Sequence, residues 1–211
     1  NVMTHVAKAR KRGAKLVVVD PYRTATAQQA DIHLMPKPGT DAALACGVMH
    51  VLLNEGLFDQ TYLDRYTDFD DSIRAHLLQR TPDWAAEITG IDAQQIIHFA
   101  RLYGRTRRSY LRMGYGISRS RNGASNMHAV SCLPALTGAW QYPGGGALFG
   151  NGEIYKAMDG RLCQGMDRGE SSARELDMSR IGPVLSGDLQ DLGDGPPVKA
   201  LFIQNTNPMA V

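Results

Sequence analysis

Apolar positions along this chain change period several times, and each change marks an element. Residues 3–12 carry basic side chains on a helical pattern that Gly13 ends, and Leu16-Val17-Val18-Val19 follows as an unbroken apolar run. Four apolar residues in a row, three of them β-branched, predict a strand buried on both faces, as in a parallel sheet. It stops at Asp20-Pro21. Residues 24–30 supply a helical turn or two and residues 32–35 a second short strand. Thr40 or Gly39 then caps an amphipathic helix that carries Leu44, Val48, Val51 and Leu52 on one face, and Asn54-Glu55-Gly56 ends it.

Residues 57–90 read as several short helices, with Asp59 as a cap and Thr81-Pro82 opening a new turn. Asp92 as N-cap, Gln95 at the third helical position and an Ile91–Ile96 staple predict the next helix, whose buried stripe is Ile96, Phe99, Ala100 and Tyr103. A strand is expected at 109–113, a loop at Gly114-Tyr115-Gly116, and a helix at 125–139 that Pro134 should kink. From Gly144 to about Pro197 periodicity fades, which fits a cofactor-wrapping loop or partial disorder. A buried strand is expected at 198–204, running into Asn205-Thr206-Asn207-Pro208. A strand with no helix after it is half of a βαβ unit, and the opening helix has no strand before it. The expectation is therefore an internal piece of a longer protein.

Composition narrows the classes. The 211 residues are 43% apolar and 21% charged with a net charge of +2, which gives no argument for nucleic acid or a membrane surface. The pattern contains no run of eighteen apolar residues that would span a bilayer. Cys46, Cys132 and Cys163 lie far apart, so a zinc ribbon, an iron–sulfur motif or a disulfide framework is not expected within this chain. Cys46 and Cys132 fall in apolar helical patterns and read as small core residues. A soluble domain of a reducing compartment is the expectation, cytoplasmic unless a twin-arginine signal lies upstream.

Candidate chemistry centres on Asp20-Pro21. In open α/β sheets ligands lie beyond the carboxyl ends of the strands, where an acid can hold a ribose diol; equally, Asp-Pro can simply open a turn. Seven arginines occupy residues 101–121, and Arg112 or Arg119, beside the glycine loop, can neutralise a pyrophosphate. The six histidines show no metal-binding spacing, although His128 follows the glycine loop. Asp70-Asp71 reads as a solvated helix start. Gly144-Gly145-Gly146 lacks the lysine of a phosphate loop, and Gly114-x-Gly116 lacks the third glycine of a dinucleotide fingerprint.

Taken in order, several motifs resemble the molybdopterin-dependent oxidoreductases of the dimethyl sulfoxide reductase and formate dehydrogenase type. They are Arg12-Gly13-Ala14-Lys15 through Asp20-Pro21, Thr24-Ala25-Thr26-Ala27, Ala30-Asp31-Ile32-His33-Leu34 and Pro38-Gly39-Thr40-Asp41 through Ala45. Trp84 through Gly90, Gly114-Tyr115-Gly116, Leu133-Pro134-Ala135-Leu136-Thr137-Gly138, Pro143 through Gly146, and Asn205-Thr206-Asn207-Pro208 complete the series.

The resemblance implies an α/β, Rossmann-like fold: a mostly parallel sheet flanked by helices. Residues 1–147 would form a partial dinucleotide-binding domain, and 148–211 the crossover into a neighbouring one. It implies a bis(molybdopterin guanine dinucleotide) cofactor holding molybdenum or tungsten. Asp20 and Pro21 would contact a guanosine, with Tyr22 available for stacking and Arg23 next to it. Pro38, Gly39, Thr40 and Asp41 would close over the same guanosine. Gly114, Tyr115 and Gly116 would face the pterin and pyrophosphate, with Arg119 beside them, and Asn205 and Asn207 would receive the second guanosine. No catalytic residue or metal ligand is expected in this chain; the metal ligand and any iron–sulfur cluster would lie upstream. Expected partners are the remaining domains of the full-length chain and an electron-transfer subunit. Two other readings are a cofactor-free relative in a respiratory complex and a nicotinamide-dependent Rossmann enzyme.

Overall fold

The computed structural model describes residues 2–150 and 174–203. The chain divides into two units, Asn1–Asn151 and Gly152–Val211.

The first unit is organised around one apolar helix. It contains helices α1 (Val2–Lys11), α2 (Asp41–Asn54), α3 (Gln60–Tyr66), α4 (Asp71–Leu78), α5 (Pro82–Thr89), α6 (Ala93–Arg105) and α7 (Gly123–Leu136) and four three-residue strands: β1 (Val17–Val19) and β2 (Ile32–Leu34) between α1 and α2, β3 (Tyr110–Arg112) between α6 and α7, and β4 (Gly146–Leu148) after α7. β1 pairs with β2 and β3 with β4, both in parallel. The fold is thus α/β, with short parallel sheets flanked by helices.

The predicted stripe of α2 is only part of its buried surface. Leu44, Val48, Val51 and Leu52 are buried, and so are Ala43, Ala45, Gly47, Met49 and Leu53. A helix apolar on nearly all sides belongs inside, and α2 sits among α4, α5, α6 and α7. Gly47 permits the close approach of α5, since a Cβ there would lie 2.6 Å from that of Ala85. Side-chain caps hold the surrounding helices. Asp59, Asp70, Thr81 and Asp92 each accept a hydrogen bond from a first-turn amide, at 2.9, 2.8, 3.2 and 2.8 Å.

Several expectations need correction. β1 is half-exposed, and Val19 is 43% open, because burial on both faces requires neighbours on both edges and β1 pairs with β2 alone. Residues 198–203 form no strand, and Leu201, Phe202 and Ile203 are exposed; without a strand to pair with, an apolar run has no ladder to join. Gly114-Tyr115-Gly116 is not an open loop but runs into a 3₁₀ turn, Tyr115–Arg119. Helix α7 continues through Pro134, which lies in its last turn. β4 falls where periodicity had faded.

In the second unit, two short helices, α8 (Ile181–Ser186) and α9 (Leu189–Leu192), follow a 3₁₀ turn capped by Asp177. The Arg180 guanidinium grips Asp191 with two bonds of 2.9 Å. Among the described residues no helix is long and apolar enough to cross a membrane.

Candidate functional site

The carboxyl ends of β1 and β3 open onto one cleft of about 990 Å³. Its mouth is built from three chain segments that follow strands: Asp20 and Pro21 after β1; Pro36, Lys37, Pro38, Gly39 and Asp41 between β2 and α2; and Met113, Gly114, Gly116, Ile117, Arg119 and Ser120 after β3. Deeper, the walls turn apolar, with Val17, Leu44, Val48, Phe99, Leu111, Val130 and Leu133. Polar groups thus gather at the strand ends, where α/β folds place their ligands.

Each polar group at the mouth has a local cause. The Asp20 Oδ1 atom accepts the Tyr22 amide at 2.8 Å and so closes the turn at Pro21, which leaves Oδ2 with no hydrogen bond among the described residues. The turn reading of Asp20 is therefore correct for one oxygen, and the carboxylate still lines the cleft. Gly39 adopts φ +82°, and a Cβ there would meet Asn122 at 3.3 Å and Ser120 at 3.4 Å, so only glycine carries the chain through this corner. Thr40 occupies the N-cap position of α2 without capping it, because its hydroxyl donates to Lys37 O at 2.6 Å.

Asp41 opens α2 half-buried, with no ion pair among the described residues. Burial pushes its carboxyl above the ordinary value of 3.8, against a smaller opposing hydrogen bond from its own backbone. Lys37 and Arg119 likewise make no ion pair among the described residues. Arg10 and Lys15, also on the wall, are balanced by Asp31 at 3.3 and 3.6 Å. Arg112 is not available for a phosphate, since its guanidinium donates to the carbonyls of Met113, Leu148 and Phe149. Among the described residues the mouth therefore offers two acids without an ion pair, Asp20 and Asp41, and two such cations, Lys37 and Arg119, whereas the first-turn amides of α2 are taken up by Asn126 Oδ1 and Thr40 O.

Eight of the candidate residues meet on the cleft: Asp20, Pro21, Pro38, Gly39, Asp41, Gly114, Gly116 and Arg119. Four stand off its walls. The turn at Pro21 sends the Tyr22 ring into solvent at 76% exposure, with Arg23 exposed beside it. The Thr40 hydroxyl is turned back onto its own loop. Tyr115 packs edge-on against Phe149, ring centroids 4.8 Å apart. Asn205 and Asn207 lie outside the described residues, as does Cys163. His128 is exposed, 3.9 Å from the Cys132 sulfur and away from the cleft. Cys46 and Cys132 pack against the core, and burial raises both thiols.

Two residues that hold the site together had no place in the sequence reading. Asn126, fully buried on α7, accepts the Ala42 amide at 3.1 Å and donates to Ser120 Oγ at 3.2 Å. Asn122, one turn earlier, donates to Gly39 O at 2.9 Å. Their i, i+4 spacing, which puts both amides on one helix face, was the available signal.

The model of the molybdopterin oxidoreductase family matches residues 2–210. The chain is 38% identical over 209 residues to the probable oxidoreductase YoaE of Bacillus subtilis, covering 99% of this chain and 30% of that protein. It is 28% identical over 219 residues to the F420-dependent formate dehydrogenase 1 subunit alpha of Methanococcus maripaludis, covering 99% of this chain and 32% of that one. Among solved structures, the acetylene hydratase of Pelobacter acetylenicus superposes with a TM-score of 0.62 at 32% identity, over 65% of this chain and 19% of that one. An α/β domain with a cleft at the strand ends is the class that the fold defines. The chain belongs to the molybdopterin oxidoreductase family, and it spans about a third of the length of these curated relatives. Membership implies a molybdopterin cofactor carrying molybdenum or tungsten.

Proposed function

We propose that this chain seats the guanosine and pyrophosphate end of a molybdopterin guanine dinucleotide, within a full-length oxidoreductase that performs two-electron or oxygen-atom-transfer chemistry. One observation carries the reading: Asp41 is half-buried and, among the described residues, without an ion pair at a cleft mouth that it shares with Arg119 and Lys37, which make none there either. A desolvated carboxylate whose one hydrogen bond comes from its own backbone amide is costly, and a guanine edge presents two parallel N–H donors that match it. Arg119 and Lys37 supply the opposite charge for a pyrophosphate.

These residues fit such a group, and their part is to bind and orient it. Asp41 would accept from the guanine edge, the Oδ2 atom of Asp20 from a ribose or base donor, and Arg119 would neutralise phosphate. When bound, the cofactor supplies the redox centre through its dithiolene and metal. Among the described residues none is assigned a reacting role, and the rest of the seat would come from other domains of the full-length chain. An electron-transfer subunit would serve the whole enzyme.

The seat does not fix the reaction. The structural neighbour is named for a hydration and a relative for formate oxidation, so substrate class must reside outside the cleft mouth. The test is chemical. Full-length protein from cells that make the cofactor should release guanosine monophosphate on acid hydrolysis along with its molybdenum or tungsten, and Asp41→Ala should lose both together. A pterin without guanosine monophosphate would overturn the dinucleotide assignment.

A further inference from the structure

We infer that His33 is a positioning residue of the cleft: its imidazole replaces a backbone donor that the sheet lacks and thereby fixes the corner that carries Asp20. The consequence for binding rests on the guanosine reading of Asp20. The geometry itself involves no ligand.

The missing donor follows from the register of the sheet. Val17 lies beside Ile32, Val18 beside His33 and Val19 beside Leu34. At the two ends of the ladder Ile32 N donates to Leu16 O at 3.4 Å and Asp20 N to Leu34 O at 3.1 Å. In a parallel pair, a residue that donates to position j of its neighbour accepts from the amide of position j+2. The donor due at Asp20 O is therefore residue 36. That residue is Pro36, which has no N–H to give.

A carbonyl at a strand end needs another partner, and His33 supplies it. Its Nε2 atom stands 2.9 Å from Asp20 O. A carbonyl oxygen only accepts, so this bond puts a proton on Nε2. The Nδ1 atom makes no hydrogen bond among the described residues, so a single bond tethers the ring. Asp20 is then held at three points: its N–H by Leu34, its C=O by His33, and Oδ1 by the Tyr22 amide at 2.8 Å.

Those three bonds determine where the remaining oxygen goes. Fixing the Asp20 carbonyl fixes the peptide plane that leads into Pro21, whose own φ is locked by its ring. The Tyr22 amide then returns to the carboxylate from a fixed turn, and Oδ2 is presented to the cleft without further ordering. A group held in its bound geometry before the ligand arrives binds with less loss of entropy. His33 thus acts on the cleft through Asp20 and does not line it. The ring lines a separate hollow of about 450 Å³, with Asp31, Ile32, Gln94, Gln95 and His98, so side chains of similar length replace it without overpacking.

The test uses full-length protein with His33→Gln, His33→Asn and His33→Leu. A glutamine amide nitrogen sits where Nε2 does along the side chain and an asparagine nitrogen where Nδ1 does, so only glutamine keeps the donor. In protein from cells that cannot make the cofactor, hydrogen–deuterium exchange at the Asp20 and Tyr22 amides should quicken about tenfold in His33→Asn and His33→Leu and stay near wild type in His33→Gln. Equal exchange in all four proteins would show a corner that holds itself, and equal quickening in all three variants would leave only the bulk of the ring; either result overturns the inference. In protein from cells that make the cofactor, His33→Leu should lower guanosine monophosphate and metal content severalfold, and His33→Gln should restore both. Added to Asp20→Ala, His33→Leu should cause no further loss, because its effect passes through that carboxylate. A full further loss would overturn the inference as well. Content unchanged by Asp20→Ala alone would bring down the guanosine reading of Asp20, and the exchange arm, which involves no cofactor, would still decide the role of His33.

Discussion

Asn126 Oδ1 accepts the Ala42 amide at 3.1 Å, which ties α7 to the first turn of α2 across 84 residues of chain. Its own amide reaches Ser120 and Asn122, and Asn122 in turn holds Gly39 O. Two loops that wall the cleft, one after β2 and one after β3, are thereby pinned to a single buried side chain. Asn126→Leu keeps the volume and strands the Ala42 amide, at a local cost of about 1–3 kcal/mol. In the full-length protein, exchange at residues 38–44 should quicken and cofactor content should fall. Unchanged exchange there would show that the loops hold themselves.

Gly47 tests the packing of the buried helix. Replacing a helix-interior glycine by alanine ordinarily gains up to about 1 kcal/mol. Here the added methyl would stand 2.6 Å from the Ala85 Cβ, and Ala85 is fully buried, so α2 and α5 must part. Overpacking of that kind costs about 1–3 kcal/mol and outweighs the propensity gain. Gly47→Ala should therefore lower the thermal midpoint of the full-length protein. A rise would mean that the two helices separate freely.

Local signals were enough to find most elements. Asp59, Thr81 and Asp92 cap where side chain and following apolar period predict, because a cap is a short-range event. The stripe Ile96, Phe99, Ala100 and Tyr103 is buried as its 3.6 period requires. What depended on distant partners was not legible. The burial of Val17–Val19 depends on neighbouring strands, the Tyr115 ring on Phe149, and the Thr40 hydroxyl on the geometry of its own loop. The Asn126 network spans 84 residues: the i, i+4 spacing of Asn122 and Asn126 marks a shared face, but nothing local names Ala42 and Gly39 as their partners. Of the candidate site, the cleft collects the residues that immediately follow strands and omits those whose side chains found partners or solvent elsewhere.

Asp41 should leave a pH signature in protein lacking cofactor. Burial raises its carboxyl pKa above 3.8, so the folded state binds this proton more tightly than the unfolded chain does. Its contribution to stability is present below the unfolded value and is lost as pH rises through the folded one. Asp41→Asn cannot titrate. The thermal midpoint of cofactor-free wild type should fall behind that of the variant as pH rises from about 4, and then run level with a constant gap. Cofactor should narrow that gap, since a donor edge compensates the charge. Curves that stay parallel across the whole range would remove Asp41 from the desolvated site.

Asp20 does two things that two substitutions separate. Its Oδ1 atom closes the Pro21 turn through the Tyr22 amide at 2.8 Å, and its other oxygen remains for a ligand. Asp20→Asn keeps an acceptor for the Tyr22 amide and loses the charge; Asp20→Ala loses both. A charge-assisted bond is worth about 1.5–3 kcal/mol, so Asp20→Asn alone should lower guanosine monophosphate and metal content in the full-length protein while exchange at the Tyr22 amide stays slow. Asp20→Ala should reduce content further and speed that amide. If Asp20→Asn retained full cofactor and only Asp20→Ala lost it, the carboxylate would be a turn-former alone, and the guanosine contact would fall to Asp41.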